Sequence, residues 1–96
     1  MHLNEFHNNE KSVSVAKIFE GVGQVMTLRI KANSELKKHK TPIPALLVCI
    51  EGKATFEYEN GKRIELTQGN YVNIEPDKIH RVFTSEKSDA LLLLIK

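Results

Sequence analysis

The sequence predicts an all-β fold, an antiparallel sandwich or barrel of about eight short strands. Three observations carry that expectation. Short β-rich or alternating segments recur along most of the chain, turn signals separate them at close spacing, and no segment keeps a helical period over eleven or more residues. The 96 residues suit one domain. A domain of this size buries roughly 60–65% of its unfolded surface, so association would supplement a modest core.

Residues 1–12, "MHLNEFHNNEKS", are polar and carry no period, and read as a loose N-terminal arm anchored by Leu3 and Phe6. The barrel domain is expected over 13–96. "VSVAKIF" (13–19) is rich in β-branched residues, and "EGVG" turns after it. In "QVMTLRIKA" (24–32), Met26, Leu28 and Ile30 alternate with Thr27, Arg29 and Lys31, so one face is apolar and the other wet. "NSELKKHKTPIP" reads as a long polar connection whose two prolines exclude a helix interior. "ALLVCI" (45–50) is apolar on both faces and so is expected to be covered on both, one side by the core and the other by a second sheet or a partner.

The next hairpin, "KATFEYENGKRIEL", can be registered from its faces. A two-residue Asn60-Gly61 turn sets Phe56 opposite Glu65. A three-residue loop, Glu59-Asn60-Gly61, instead pairs Tyr58 with Lys62, Phe56 with Ile64 and Ala54 with Leu66. Apolar then meets apolar, which selects a type I turn with Gly61 in the left-handed region. Before Gly52 the inward set is odd (Ala45, Leu47, Cys49), and after it the set is even (Ala54, Phe56, Tyr58), which marks a bulge or bend. "TQGN" turns, "YVNIE" (71–75) is a strand, "PDKI" turns, "HRVFT" (80–84) is a strand, "SEKSD" turns, and "ALLLLI" (90–95) is the last strand.

Composition narrows the function. A net charge of +2 with six aromatics and no helix-turn-helix period gives no support for a nucleic-acid partner. The longest apolar runs are six residues against about 20 for a membrane span. The N-terminus has no apolar core of a secretory signal, and the single Cys49 excludes an internal disulfide, so a reducing cytoplasm is the simplest setting. No Ser-His-Asp or Cys-His arrangement and no glycine-rich phosphate loop is present. Glu57, Glu59 and Glu65 fall on the face assigned to solvent and read as edge-strand charge. The lysines 37, 38 and 40 read as a solvated loop, or as an attractor for an anionic ligand if that loop rims a pocket.

Two motifs resemble those of small single-domain cupins, which are double-stranded β-helix, jelly-roll-like antiparallel barrels. The first cupin motif runs His-x-His, three residues, Glu, six residues, Gly. Gly52 fits its closing glycine, and thirteen residues before it stands His39. Thr41 falls at the second histidine and Ala45 at the glutamate. "GNYVNIEPDKIH" matches the second motif, with Gly69 leading, Pro76 in the turn and His80 at the ligand position. Asp77 replaces the usual turn glycine, and Thr84 stands where asparagine is often found. The resemblance spans roughly residues 34–95.

The resemblance implies a divalent metal, since imidazoles suit such ions, and of its ligand positions only His39 and His80 are filled; the His-x-His spacing itself reflects that residues two apart share a strand face. Thr41 and Ala45 cannot complete that set, and a stable site takes three or four ligands. Cys49 lies four residues beyond Ala45, about 13 Å along a strand, and reads as a buried small hydrophobe. The bland readings are a surface His39 in a basic stretch and a strand-end His80 with one hydrogen bond; His2 and His7 are unrelated to any site. A pocket is expected to be lined by Thr41, Ala45, Leu47, Cys49, Phe56, Tyr58 and His80. Three functions stay open, the first leading and the other two its alternatives. One is a binding or sensing module for a small molecule. Another is a metal-dependent dioxygenase- or isomerase-like enzyme using His39 and His80. The third is a structural or partner-binding domain with a filled barrel. The apolar outer faces of "LLVCI" and "LLLLI" predict a homodimer.

Overall fold

The computed structural model describes residues 1–8 and 10–96. A 3-10 helix, Leu3–Phe6, is followed by β1 (Val13–Glu20), β2 (Gln24–Ile30), β3 (Glu35–His39), β4 (Ala45–Tyr58), β5 (Arg63–Thr67), β6 (Tyr71–Ile74), β7 (His80–Phe83) and β8 (Ala90–Ile95). Every pairing is antiparallel. One sheet runs β1-β2-β8-β4-β6 and the other β3-β7-β4-β5. Strand β4 belongs to both: Leu46–Gly52 pairs with β8, and Lys53–Tyr58 supplies the pairs with β5 and β7. The fold is the curled antiparallel β architecture that the sequence predicts.

The strand count agrees with expectation through two offsetting differences. Residues 45–50 and 53–58 form one continuous strand instead of two. The stretch read as a connection contains β3, which is partly buried only at Leu36 and exposed at its other four positions. Its "ELKKH" has no apolar period because it is an edge strand with a single partner, β7.

The expected change of parity at Gly52 is present. Ala45, Leu47 and Cys49 are buried on the near side, and Ala54, Phe56 and Tyr58 on the far side. The register with β8 slips between Cys49 and Glu51. Gly52 has φ of +79, and a Cβ there would sit 1.9 Å from the carbonyl oxygen of Asp89. The hairpin register is also as expected, with Phe56 opposite Ile64 and Ala54 opposite Leu66. Gly61 has φ of +93, and its amide donates to the Tyr58 carbonyl at 2.9 Å.

These two glycines separate two costs. Gly61→Ala should lose about 1 kcal/mol from backbone conformation alone, because nothing lies within 4 Å of a Cβ there. Gly52→Ala adds a clash with rigid backbone and should lose clearly more, about 3 kcal/mol. Urea denaturation of both variants checks the order, and equal losses would show that β4 relaxes freely at the bend.

Candidate functional site

The second sheet brings the two motif histidines together. His39 ends β3, His80 begins β7, and they are register partners. Their rings meet edge to face with centroids 4.4 Å apart. His80 also stacks on Phe56, at 5.1 Å and 26°, and Phe56 meets Tyr58 edge to face at 4.9 Å. Phe56 and Tyr58 share a face of β4 by strand alternation, so the cluster follows directly from the hairpin register. Phe56 has no exposed surface and His80 only 2%, whereas His39 is exposed.

Both imidazoles are fixed in the same way. Nδ1 of His39 lies 2.9 Å from the Lys37 carbonyl, and Nδ1 of His80 lies 3.0 Å from the Lys78 carbonyl. A carbonyl oxygen only accepts, so Nδ1 carries the proton in each ring and Nε2 carries the lone pair. Burial, and secondarily the nearby His39, push the His80 pKa down, against the opposing bond to Lys78. The Tyr58 hydroxyl accepts from the Glu75 amide at 3.1 Å.

The remaining expected site residues are placed less compactly. Ala45, Leu47 and Cys49 point into the core from β4. The Cys49 thiol donates to the Glu51 carbonyl at 3.5 Å, and burial raises its pKa, which makes it an inert hydrophobe. Thr41 lies in the β3–β4 loop. Its hydroxyl donates to the Ile43 carbonyl at 2.9 Å, and its carbonyl accepts from the Asp77 amide at 2.7 Å. That hydroxyl is therefore spent within its own loop. Asp77 adopts φ of +61, which explains why a glycine would suit this turn.

A divalent ion of the kind that the fold suggests does not fit these residues. His39 and His80 offer two Nε2 lone pairs with tautomers suited to ligation. Ala45 has no donor and Thr41 is committed elsewhere. Among the described residues, no group of three or more His, Cys, Asp or Glu converges to hold a metal. The cavity that touches His80 has a volume of about 30 Å³ and is also lined by Lys38, Tyr58 and Ile79.

Two residues carry more than the sequence suggested. Glu57 is not a free edge charge: Arg81 Nε donates to it at 2.8 Å and Arg63 Nε from the other side, so both bonds hold its carboxyl below the usual range. A cross-strand view of its two register partners, Arg63 and Arg81, carries that signal. His7, read as unrelated to any site, bonds to hydroxyls on two strands, and nothing in a polar arm without period marks it.

The sequence profile of the cupin domain matches residues 24–96. No curated protein sequence matches the chain. Among solved structures, an uncharacterised conserved protein with a double-stranded β-helix domain from Klebsiella pneumoniae is similar at a TM-score of 0.86 and 16% identity, covering 99% of this chain and 85% of that one. A cupin-like protein from Thermotoga maritima is similar at 0.81 and 20% identity, covering 88% and 67%. A polyketide cyclase from Streptomyces resistomycificus is similar at 0.79 and 14% identity, covering 88% of this chain and 64% of the cyclase. Identities this low speak for the fold alone.

The buried His80 makes stability depend on pH. A histidine whose folded pKa is lowered contributes fully above its ordinary value of 6.5, and the contribution is lost as pH falls below that value toward the folded one. Wild-type stability should therefore decline on acidification with a His80 share of at most about 1.4 kcal/mol per pH unit, and His80→Gln should remove that share. Urea titrations of both proteins across this range check it, and parallel curves would contradict the burial argument.

Proposed function

The chain belongs to the cupin domain family, and on that premise we propose that it is a cupin without resident metal chemistry, a partner-binding domain that associates with a second copy of itself. One observation carries this reading: the barrel interior is filled. Ile30, Cys49, Phe56, Leu66 and Leu92 have no exposed surface, and Leu28, Leu47, His80 and Val82 have 2%. A small-molecule site usually occupies 300 Å³ or more, against about 30 Å³ beside His80.

The outer face of the first sheet supports the association. Val48 on β4 is opposite Leu93 on β8 and Tyr71 on β6, and Leu46 is opposite Ile95. These side chains point away from the core set and are only partly covered, with Tyr71 at 61% exposure. An apolar row across three strands is the kind of surface that a soluble chain covers with a partner. A second copy fits because a two-fold pairing matches like rows to like.

A second reading, the small-molecule binding or sensing module, is supported by a concavity of about 440 Å³ at the rim of the aromatic cluster, lined by Tyr58, Glu59, Asn60, Asp77, Lys78 and Ile79. A ligand there would lie over Tyr58 without entering the barrel.

Two measurements test these statements. Sedimentation at micromolar concentration should give a dimer, and Val48→Lys should shift it to monomer without unfolding; a wild-type monomer would overturn the association. Elemental analysis after exposure to iron, manganese, nickel and zinc should give well below one metal per chain. A stoichiometric metal that disappears in His80→Ala would restore the metal-dependent enzyme instead.

A further inference from the structure

The outer face of the first sheet has one row that is buried where its position calls for exposure. Strand alternation places Thr27 on that face, opposite Leu93, which is opposite Val48 in turn. Leu93 and Val48 are partly exposed, but Thr27 has no exposed surface. Leu91, outside by the same alternation, is 3% exposed. The N-terminal arm lies along this part of the face, and its His7 bonds to Thr27. Its 3-10 helix lies against β2, and Asn4 joins Arg29, Gly52, Asp89 and Leu91 around a cavity of about 450 Å³.

Among the described residues, His7 is the side chain of the arm that bonds to the sheet. His7 Nδ1 lies 2.8 Å from Ser14 Oγ on β1, and Nε2 lies 3.1 Å from Thr27 Oγ1 on β2. The expected anchors do less, since Phe6 is 48% exposed and Leu3 only partly buried. The helix has its own internal ties: the His2 ring accepts from the Asn4 amide at 3.0 Å, and the terminal ammonium pairs with Glu5 at 2.6 Å. Its turn, which the His7 amide closes by donating to the Asn4 carbonyl, does not use the His7 ring, while its attachment to the sheet does.

We propose that residues 3–8 form a proton-released strap, fastened across β1 and β2 by neutral His7 and freed when His7 is protonated, which uncovers Thr27 and Leu91. Hydrogen bonding alone does not decide the matter, because both hydroxyls can accept from an imidazolium. The penalty comes from placing a cation in a half-buried position beside Arg29. Burial, then Arg29, hold His7 below its ordinary 6.5. Of the other charged groups on this face, Asp89 pairs with Arg29 at 3.2 Å and accepts from the Ala32 amide, Glu5 pairs with the terminal ammonium, and Glu51 and Lys87 line the cavity beside Asn4. Ser14 and Thr27 bring no charge. The strap is therefore held above pH 6.5 and loosens as pH falls below it. Its release lengthens the row that begins at Leu93 and so bears on self-association, but the strap is tested without that reading.

The test is an amide NMR titration of the full chain from about pH 8 to about pH 5, following residues 3–8, alongside sedimentation of the same samples. The ratio of released to docked arm should rise about tenfold per pH unit below 6.5, until the docked His7 itself titrates. His7→Gln keeps hydrogen-bonding groups without a titrating one and should stay docked throughout. His7→Ala should be released at every pH. An arm that stays docked in the wild type at about pH 5, or a His7→Gln arm that releases with the wild-type midpoint, overturns the strap. Release at an unchanged sedimenting mass supports the strap and separates it from self-association.

Discussion

One strand has to serve two sheets, and the rest of the molecule depends on how it does so. β4 pairs with four other strands, so its direction sets the angle between the sheets and the position of the core between them. The bend occurs where Gly52 takes positive φ against the Asp89 carbonyl. A bend in a buried strand leaves backbone groups without ladder partners, and they must be satisfied elsewhere. They are: Cys49 exchanges bonds with Gly69 and Asn70, both near 2.8 Å, and the Lys53 amide donates to Asp89 at 3.2 Å. The two turns around the bend therefore exist partly to pair with it.

The bend also dictates the site. By switching the inward parity, it aims Phe56 and Tyr58 at the start of β7, where His80 lies. Fully burying a Phe56-sized side chain is worth about 2–3 kcal/mol, and here the ring fills the space next to the histidine pair. Packing stability and an open pocket compete for the same volume. The filled interior is why the association reading rests on the outside of the barrel.

How much of this was legible in the sequence follows from which positions face a core. The hairpin register, the bend at Gly52 and the strands 71–75 and 80–84 left clear alternation or turn chemistry, because one face of each is buried, and 90–95 stood out as an unbroken apolar run. β3 left none, since four of its five side chains meet water and periodicity reports only burial. The prolines at 42 and 44 reinforced the reading of a connection, yet they sit after the strand ends at His39. His39 and His80 were found through motif spacing, but their common tautomer depends on backbone carbonyls that no spacing reveals. His7 was missed for the same reason as Thr27: a polar residue on a wet face looks free until something lies over it.

His39 and His80 have a structural use of their own. β3 is polar, exposed and irregular in register with β7 between Leu36 and His39, so its ladder is weak where it should hold most. The His39 ring against His80 closes that end, and each ring's bond to the carbonyl two residues back keeps it from swinging into solvent. Arg81 does the same at the other end, donating to Glu35 of β3 at 3.0 Å and to Glu57 of β4. The edge strand is therefore stitched at both ends by side chains where backbone pairing runs short. On this view the histidine pair persists as a brace for β3, which needs two imidazoles in contact and no third donor.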